Sequence, residues 1–308
     1  MVTVVAPADF VRSFQIEGMN VRGRVVHLTD VADRVIAAHG YPDPVSRLVG
    51  EALVLAALLG ASLKFSGTLT VQTRGEGPVS MIVADFTSPG TVRACATFDA
   101  GRVASLGKSP SFDQLVGKGS IAITIDPDAD MDRYQGVVPM EGGGLAESAM
   151  MYFDRSEQIP TAIRLSVATL STRGAQGSEL RWRAGGMLIQ NLASLGGIQP
   201  ASRDNGRDHE DDWPRAQALF STIEPHELVD PQVEPERLLY RLFHEDGVRV
   251  FDVVPLTFAC RCDAERVATV LRQYPKDELQ GLAEADGLIR ATCEFCSTTY
   301  SFAPDTLG

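Results

Sequence analysis

Five cysteines occur in 308 residues, and four of them fall within the last fifty, as Cys260-Arg-Cys262 and Cys293-Glu-Phe-Cys296. Four thiolates in two close pairs match the ligand count of a tetrahedral metal site, and Zn²⁺ is its usual occupant. Soft sulfur ligands also suit Cu(I). The first pair is CxC, a cramped chelate whose two sulfurs can alternatively close into a strained short-loop disulfide. The cluster is therefore a candidate redox switch as well as a candidate clip. A purely architectural zinc clip, or two structural disulfides, is the plainer alternative. The five histidines, at 27, 39, 209, 226 and 244, are scattered and form no competing ligand set. The expected load is one Zn²⁺ per chain.

The surrounding residues position these sulfurs. Ile289–Thr292 and Ser297–Phe302 read as short strands, with Cys293–Cys296 in the turn between them and its amides directed at sulfur. Asp263 to Tyr274 reads as a helix: Asp263 is an N-cap, Val267, Val270 and Leu271 form a stripe, and Pro275 stops it. Lys276 to Ala285 reads as a second helix, ended by Gly287. These elements have almost no core of their own. Arg261, Arg266 and Arg290 lie near the cysteines, either offsetting thiolate charge or simply solvated.

The whole chain reads as α+β: an N-terminal antiparallel-sheet domain with packed helices, a helical linker, and a small C-terminal zinc-binding module. The expected boundaries are 1–200, 201–250 and 251–308. In the first part, Val25–Leu28, Thr68–Thr73, Val79–Asp85, Thr91–Asp99, Ile121–Ile125, Thr161–Thr169 and Arg181–Ile189 read as strands. Asp30–Ala38, Val45–Phe65 and Leu145–Phe153 read as helices. The run Ser202 to Asp212 is polar and aperiodic, as a linker is. Short helical pieces follow at Pro214–Ile223, Pro225–Leu228 and Glu234–His244. Leu238, Leu239, Leu242 and Phe243 give the last of these an apolar docking face. Such pieces are too short to be stable alone and must dock on something.

Charge narrows the function. The net charge is −12, and residues 251–308 carry 5 basic against 9 acidic side chains. A nucleic-acid-binding zinc ribbon presents a basic face to phosphates, so nucleic acid is not an expected partner. The apolar stretch Ala52–Ala61 is too short to span a bilayer, and no signal peptide is indicated, so a cytoplasmic protein with reduced cysteines is expected. Glu141-Gly-Gly-Gly144 lacks the Lys-Ser/Thr of a phosphate loop. Cys95 reads as a packed or semi-exposed thiol in a strand. No nucleophile, base or carboxylate pair stands out, so no enzyme is expected. A thiol oxidoreductase would need one exposed reactive cysteine, not four mutually ligating ones.

Over nearly its whole length the chain resembles the redox-regulated chaperone family heat-shock protein 33. The resemblance rests on Arg22-Gly-Arg24, Tyr41-Pro-Asp-Pro44, Gly50-Glu51, Leu63-Lys-Phe-Ser-Gly67, Gln135-Gly-Val-Val-Pro-Met-Glu-Gly142, Tyr152-Phe-Asp-Arg-Ser-Glu-Gln-Ile-Pro-Thr161 and the CxC and CxxC pairs. The acidic run Asp208–Asp212 is not part of it. The resemblance implies an ATP-independent holdase that is zinc-bound and inactive when reduced. It implies oxidation to Cys260–Cys262 and Cys293–Cys296 disulfides, zinc release, linker unfolding, and binding of unfolded clients as a homodimer. The rival reading is a constitutive zinc-ribbon protein that binds nucleic acid or a protein partner.

Overall fold

The computed structural model describes residues 7–64, 66–128, 132–174, 177–192 and 211–307. The chain divides into two compact units, 1–258 and 259–308.

The first unit opens with strands β1 (Phe10–Ile16) and β2 (Val21–Leu28) and helices α1 (Asp30–Ala37) and α2 (Asp43–Gly60). Strands β3 (Gly67–Gly75), β4 (Val79–Thr87) and β5 (Thr91–Phe98) follow, then short helices α3 (Ala100–Ser105) and α4 (Phe112–Val116). Next come β6 (Gly119–Pro127), β7 (Tyr134–Met140), α5 (Leu145–Tyr152) and the long strands β8 (Thr161–Gly174) and β9 (Gly177–Asn191). Helices α6 (Asp212–Ser221) and α7 (Pro235–Phe243) lead into β10 (Val248–Pro255) and β11 (Thr257–Phe258).

Two sheets result. One has the order β10-β1-β2-β9-β8 and is antiparallel throughout; the other is β11-β5-β4-β3-β6-β7, with only β11 parallel to its neighbour. Between them lies α2, of whose 18 residues 14 are buried. A helix apolar all round belongs in a core, and its side chains join those of both sheets in one cluster. The apolar run predicts a helix to residue 65, yet α2 ends at Gly60. There the Ser62 hydroxyl donates to the Leu59 carbonyl and the chain turns away; Phe65 lies outside the described residues. Among the described residues no helix is long and apolar enough to cross a membrane.

The opposite face of the five-stranded sheet carries a second cluster. Phe14, Ile16, Val21, Val25, Met187 and Ile189 meet Ala216 and Phe220 of α6 and Leu238, Leu239, Leu242 and Phe243 of α7. Gly23 lies under this contact: a Cβ there would sit 2.1 Å from the Phe14 ring and 2.6 Å from the Leu188 carbonyl oxygen. That accounts for a glycine between two arginines in a strand. Gly23→Ala is expected to lower stability by about 1–3 kcal/mol through overpacking, measured as the urea midpoint of the first unit; an unshifted midpoint would remove this account of the motif.

The polar run from Ser202 falls, up to residue 210, outside the described residues. The module boundary expected at 251 and the observed division after Phe258 differ by a short stretch of strand. Residues 251–258 lie in β10 and β11, hydrogen-bonded to β1 and β5 of the first unit. In the second unit α8 (Ala264–Leu271), α9 (Lys276–Gly281) and the hairpin β12 (Ile289–Thr292) and β13 (Thr299–Phe302) surround a core whose buried side chains, among the described residues, are Ala268, Leu271, Leu279, Ile289 and Leu307, with Val267, Ala283 and Phe302 half-buried against them.

Candidate metal centre

Each cysteine pair is held by a different element. Cys260 and Cys262 precede α8, whose start is capped by the Asp263 carboxylate accepting from the Arg266 amide at 2.8 Å. Cys293 and Cys296 occupy the β12–β13 turn, closed by the Ser297 amide donating to the Cys293 carbonyl and the Cys293 amide donating to the Thr298 carbonyl, both at 2.9 Å. Ser297, at φ 55°, takes the left-handed conformation that turns the chain back. The amides of Phe295 and Cys296 point at the Cys293 sulfur, and the Thr298 amide points at that of Cys296.

All four Sγ atoms lie within 4.8 Å of one another. The shortest recorded separations run across the pairs, 3.6 Å for Cys260–Cys293 and 3.3 Å for Cys262–Cys296. A tetrahedral Zn²⁺–thiolate site has sulfur–sulfur edges of about 3.8 Å, from bonds of about 2.3 Å. The four sulfurs therefore fit the metal with shifts of a few tenths of an ångström to about one. Among the described residues no other cluster of histidine, cysteine or acidic groups is placed to hold a metal.

Without a metal the thiols are unequal. Burial, then the neighbouring thiols, push Cys262 up to about 12, partly offset by the Tyr300 hydroxyl, which donates to its sulfur at 3.3 Å. Burial also raises Cys293, against its two amide bonds. Burial acts the same way on Cys296 but is outweighed by the Thr298 hydroxyl and amide, which with the neighbouring thiols draw it down to about 6. Tyr300 and Thr298 escape sequence reading: nothing in a threonine or a strand tyrosine signals a sulfur neighbour until the hairpin register is known. The nearby arginines have other partners. Arg266 pairs with Asp263 and donates to the Arg261 carbonyl, and Arg290 pairs with Glu284 and Asp286.

The four residues of the expected linker face lie on α7, within the first unit. Leu238, Leu239, Leu242 and Phe243 are all buried, Leu239 and Phe243 completely. Phe243 stacks on Phe14 with ring centroids 6.2 Å apart. Arg12 of β1 pairs with Glu236, and Arg241 pairs with Glu227 at 2.7 Å. Cys95, in β5, is buried. Gly144 opens α5, but the Glu147 side chain folds back over Gly143 and Gly144, so a carboxylate already covers that helix start.

Comparisons with known proteins agree with this architecture. The family model described as Hsp33 protein matches residues 9–303. A 33 kDa chaperonin of Caulobacter vibrioides is 45% identical over 300 residues, covering 96% of this chain and 95% of that one. Another, of Shewanella loihica, is 37% identical, covering 96% and 92%. The crystal structure of a 33 kDa chaperonin (heat shock protein 33 homolog) of Thermotoga maritima superposes with a TM-score of 0.74 over 97% of this chain and 96% of that one; at 22% identity it speaks to the fold. On the match of nearly its full length and the 45% identity, the chain belongs to the Hsp33 family of chaperones.

Proposed function

We propose that the protein is a redox-gated, ATP-independent holdase of the cytoplasm, silent while Cys260, Cys262, Cys293 and Cys296 hold one Zn²⁺, and active when they are oxidised. The observation that carries the reading is the convergence of four sulfurs within 4.8 Å in a unit whose buried core is five side chains. So small a core cannot balance the conformational entropy of some fifty residues. Bound zinc supplies the missing cross-link, worth about 10–16 kcal/mol in comparable modules.

The residues do the rest. Each disulfide forms when one thiolate attacks a peroxide oxygen and the O–O bond breaks to leave a sulfenic acid. The second thiol displaces that oxygen as the S–S bond closes. Two thiols and one H₂O₂ thus give one disulfide and two waters, the sulfurs losing two electrons. We assign the pairs Cys260–Cys262 and Cys293–Cys296. Once the module has loosened, neighbours in sequence close at the smallest entropic cost. The module then unfolds, the linker helices are released, and their apolar face and the sheet beneath bind unfolding clients as a homodimer. The acidic chain, at −12, favours neither nucleic acid nor membrane surfaces as partners, and the centre has no catalytic role.

The test is light scattering of a thermally aggregating client with zinc-loaded reduced protein and peroxide-treated protein side by side, with hydrogen exchange on both. Oxidation is expected to release one zinc per chain, strip protection from 259–308 and suppress scattering. Equal suppression by both forms would support a constitutive binding protein instead. Protection retained throughout 259–308 after oxidation would leave zinc as a static clip.

A further inference from the structure

Side chains along β2 alternate between the faces of the five-stranded sheet. Val21 and Val25 enter the cluster beneath α6 and α7, whereas Val26 and Leu28 enter the core around α2. Arg22 and Arg24 continue the Val26–Leu28 row. Their neighbours across the strands are Gln15 and Gln190 for Arg22, and Ser13 and Leu188 for Arg24. Gln190 is buried; its Oε1 accepts from Arg22 at 3.4 Å and its Nε2 donates to the Thr161 hydroxyl at 3.3 Å.

Arg24 is only 8% exposed, and its Nε is buried with no acceptor; the Nε of Arg22 is in the same condition. Among the described residues neither guanidinium has a carboxylate partner, and the Arg24 side chain makes no hydrogen bond, its backbone alone being paired with β1 and β9. The contrast within the same unit is Arg93, which meets the buried Asp85 carboxylate at 2.6 Å. A buried charge without a partner costs several kcal/mol, and a second positive charge beside it adds to that cost. Burial, then the neighbouring Arg22, lower the Arg24 guanidinium to about 10.

We propose that Arg22 and Arg24 together bind a divalent oxyanion of the phosphate type on this face of the five-stranded sheet. The two residues are two positions apart on one strand, about 6.6 Å along it, so their long side chains can close on one anion. Two guanidiniums carry two charges. A phosphate group near neutral pH carries about −1.5 to −2 and offers three or more oxygens for fork-like bonding. A single carboxylate would leave one charge uncompensated. The site lies wholly in the first unit and does not depend on the redox reading.

The experiment uses reduced, zinc-loaded, full-length protein and inorganic phosphate as the probe. Phosphate ³¹P linewidths are titrated, and thermal unfolding is followed in phosphate, sulfate or chloride at equal ionic strength. Phosphate and sulfate are expected to raise the unfolding temperature saturably beyond chloride. Arg24→Met is expected to weaken phosphate binding by at least about tenfold, as loss of charge-assisted bonds does. Should Arg24→Met not fold, Arg22→Gln serves in its place. Glycerol 2-phosphate separates two sources: binding of both probes assigns a phosphoryl group carried on a larger molecule, and binding of phosphate alone assigns the free anion. Equal shifts in phosphate and chloride, or unchanged phosphate affinity in the variants, would overturn the site.

Discussion

Cys293→Ser is expected to weaken zinc retention by more than about 100-fold, since losing a direct ligand exceeds the 10–100-fold typical of a supporting residue. The Cys293 sulfur lies 3.6 Å from that of Cys260 and receives the amides of Phe295 and Cys296. A serine hydroxyl in its place is neither soft nor ionised at neutral pH, and no described histidine or carboxylate joins the four-sulfur cluster to replace it. A hundredfold loss is about 2.8 kcal/mol, removed from a unit that has five buried apolar side chains to fall back on. Chelator competition with elemental analysis measures the affinity, and hydrogen exchange over 259–308 reports the fold. Unchanged affinity would mean that Cys293 is not a ligand. The first unit, which has its own two clusters, should keep its protection.

Leu239→Asp should release α7 in the reduced protein. Leu239 has no exposed surface and packs in the cluster with Phe14, Val21, Val25 and Met187. Removing its side chain costs about 2–5 kcal/mol, and placing a carboxylate there adds a further penalty. A nine-residue helix has no means of absorbing such a loss by itself. The variant is expected to suppress client aggregation without oxidant, or at a lower peroxide dose, while still holding zinc. A variant that stays silent when reduced and needs as much peroxide as the parent would show that docking of α7 is not what restrains activity. Leu239→Ala, with the smaller loss, should fall between the two.

Much of this was legible in residue order because the chemistry is local. Cysteine spacing announces a candidate ligand set whatever the rest of the chain does, and the stripe of Leu238, Leu239, Leu242 and Phe243 lies on consecutive turns of one helix. The Asp263 cap and the turn at Cys293 follow from two or three neighbouring residues. What could not be read depends on partners far along the chain. Residue order alone does not mark β1, β7 and β10 as strands. Each is a short run whose pairing is decided elsewhere: β10 by β1, more than two hundred residues away, and β7 by β6 despite Pro139. The Arg22-Gly-Arg24 motif could be matched to a family, but the reason for its glycine, the ring of Phe14, appears only when β1 and β2 are paired.

The placement of β10 sets how far an opened linker can travel. The segment 192–247, 56 residues, leaves the five-stranded sheet at the end of β9 and returns to it at the start of β10. If both strands stay paired, α6 and α7 cannot drift off as a tail; they remain a loop anchored at both ends to one rigid frame. The entropy of closing a loop grows only as the logarithm of its length, and the anchors keep the local concentration of the helices high at their own seat. Recapture is then a unimolecular event, insensitive to protein dilution. On the function proposed above, a client held by the opened face would compete against a tethered occupant that is always within reach, and reduction of the cysteines would have a built-in means of displacing it.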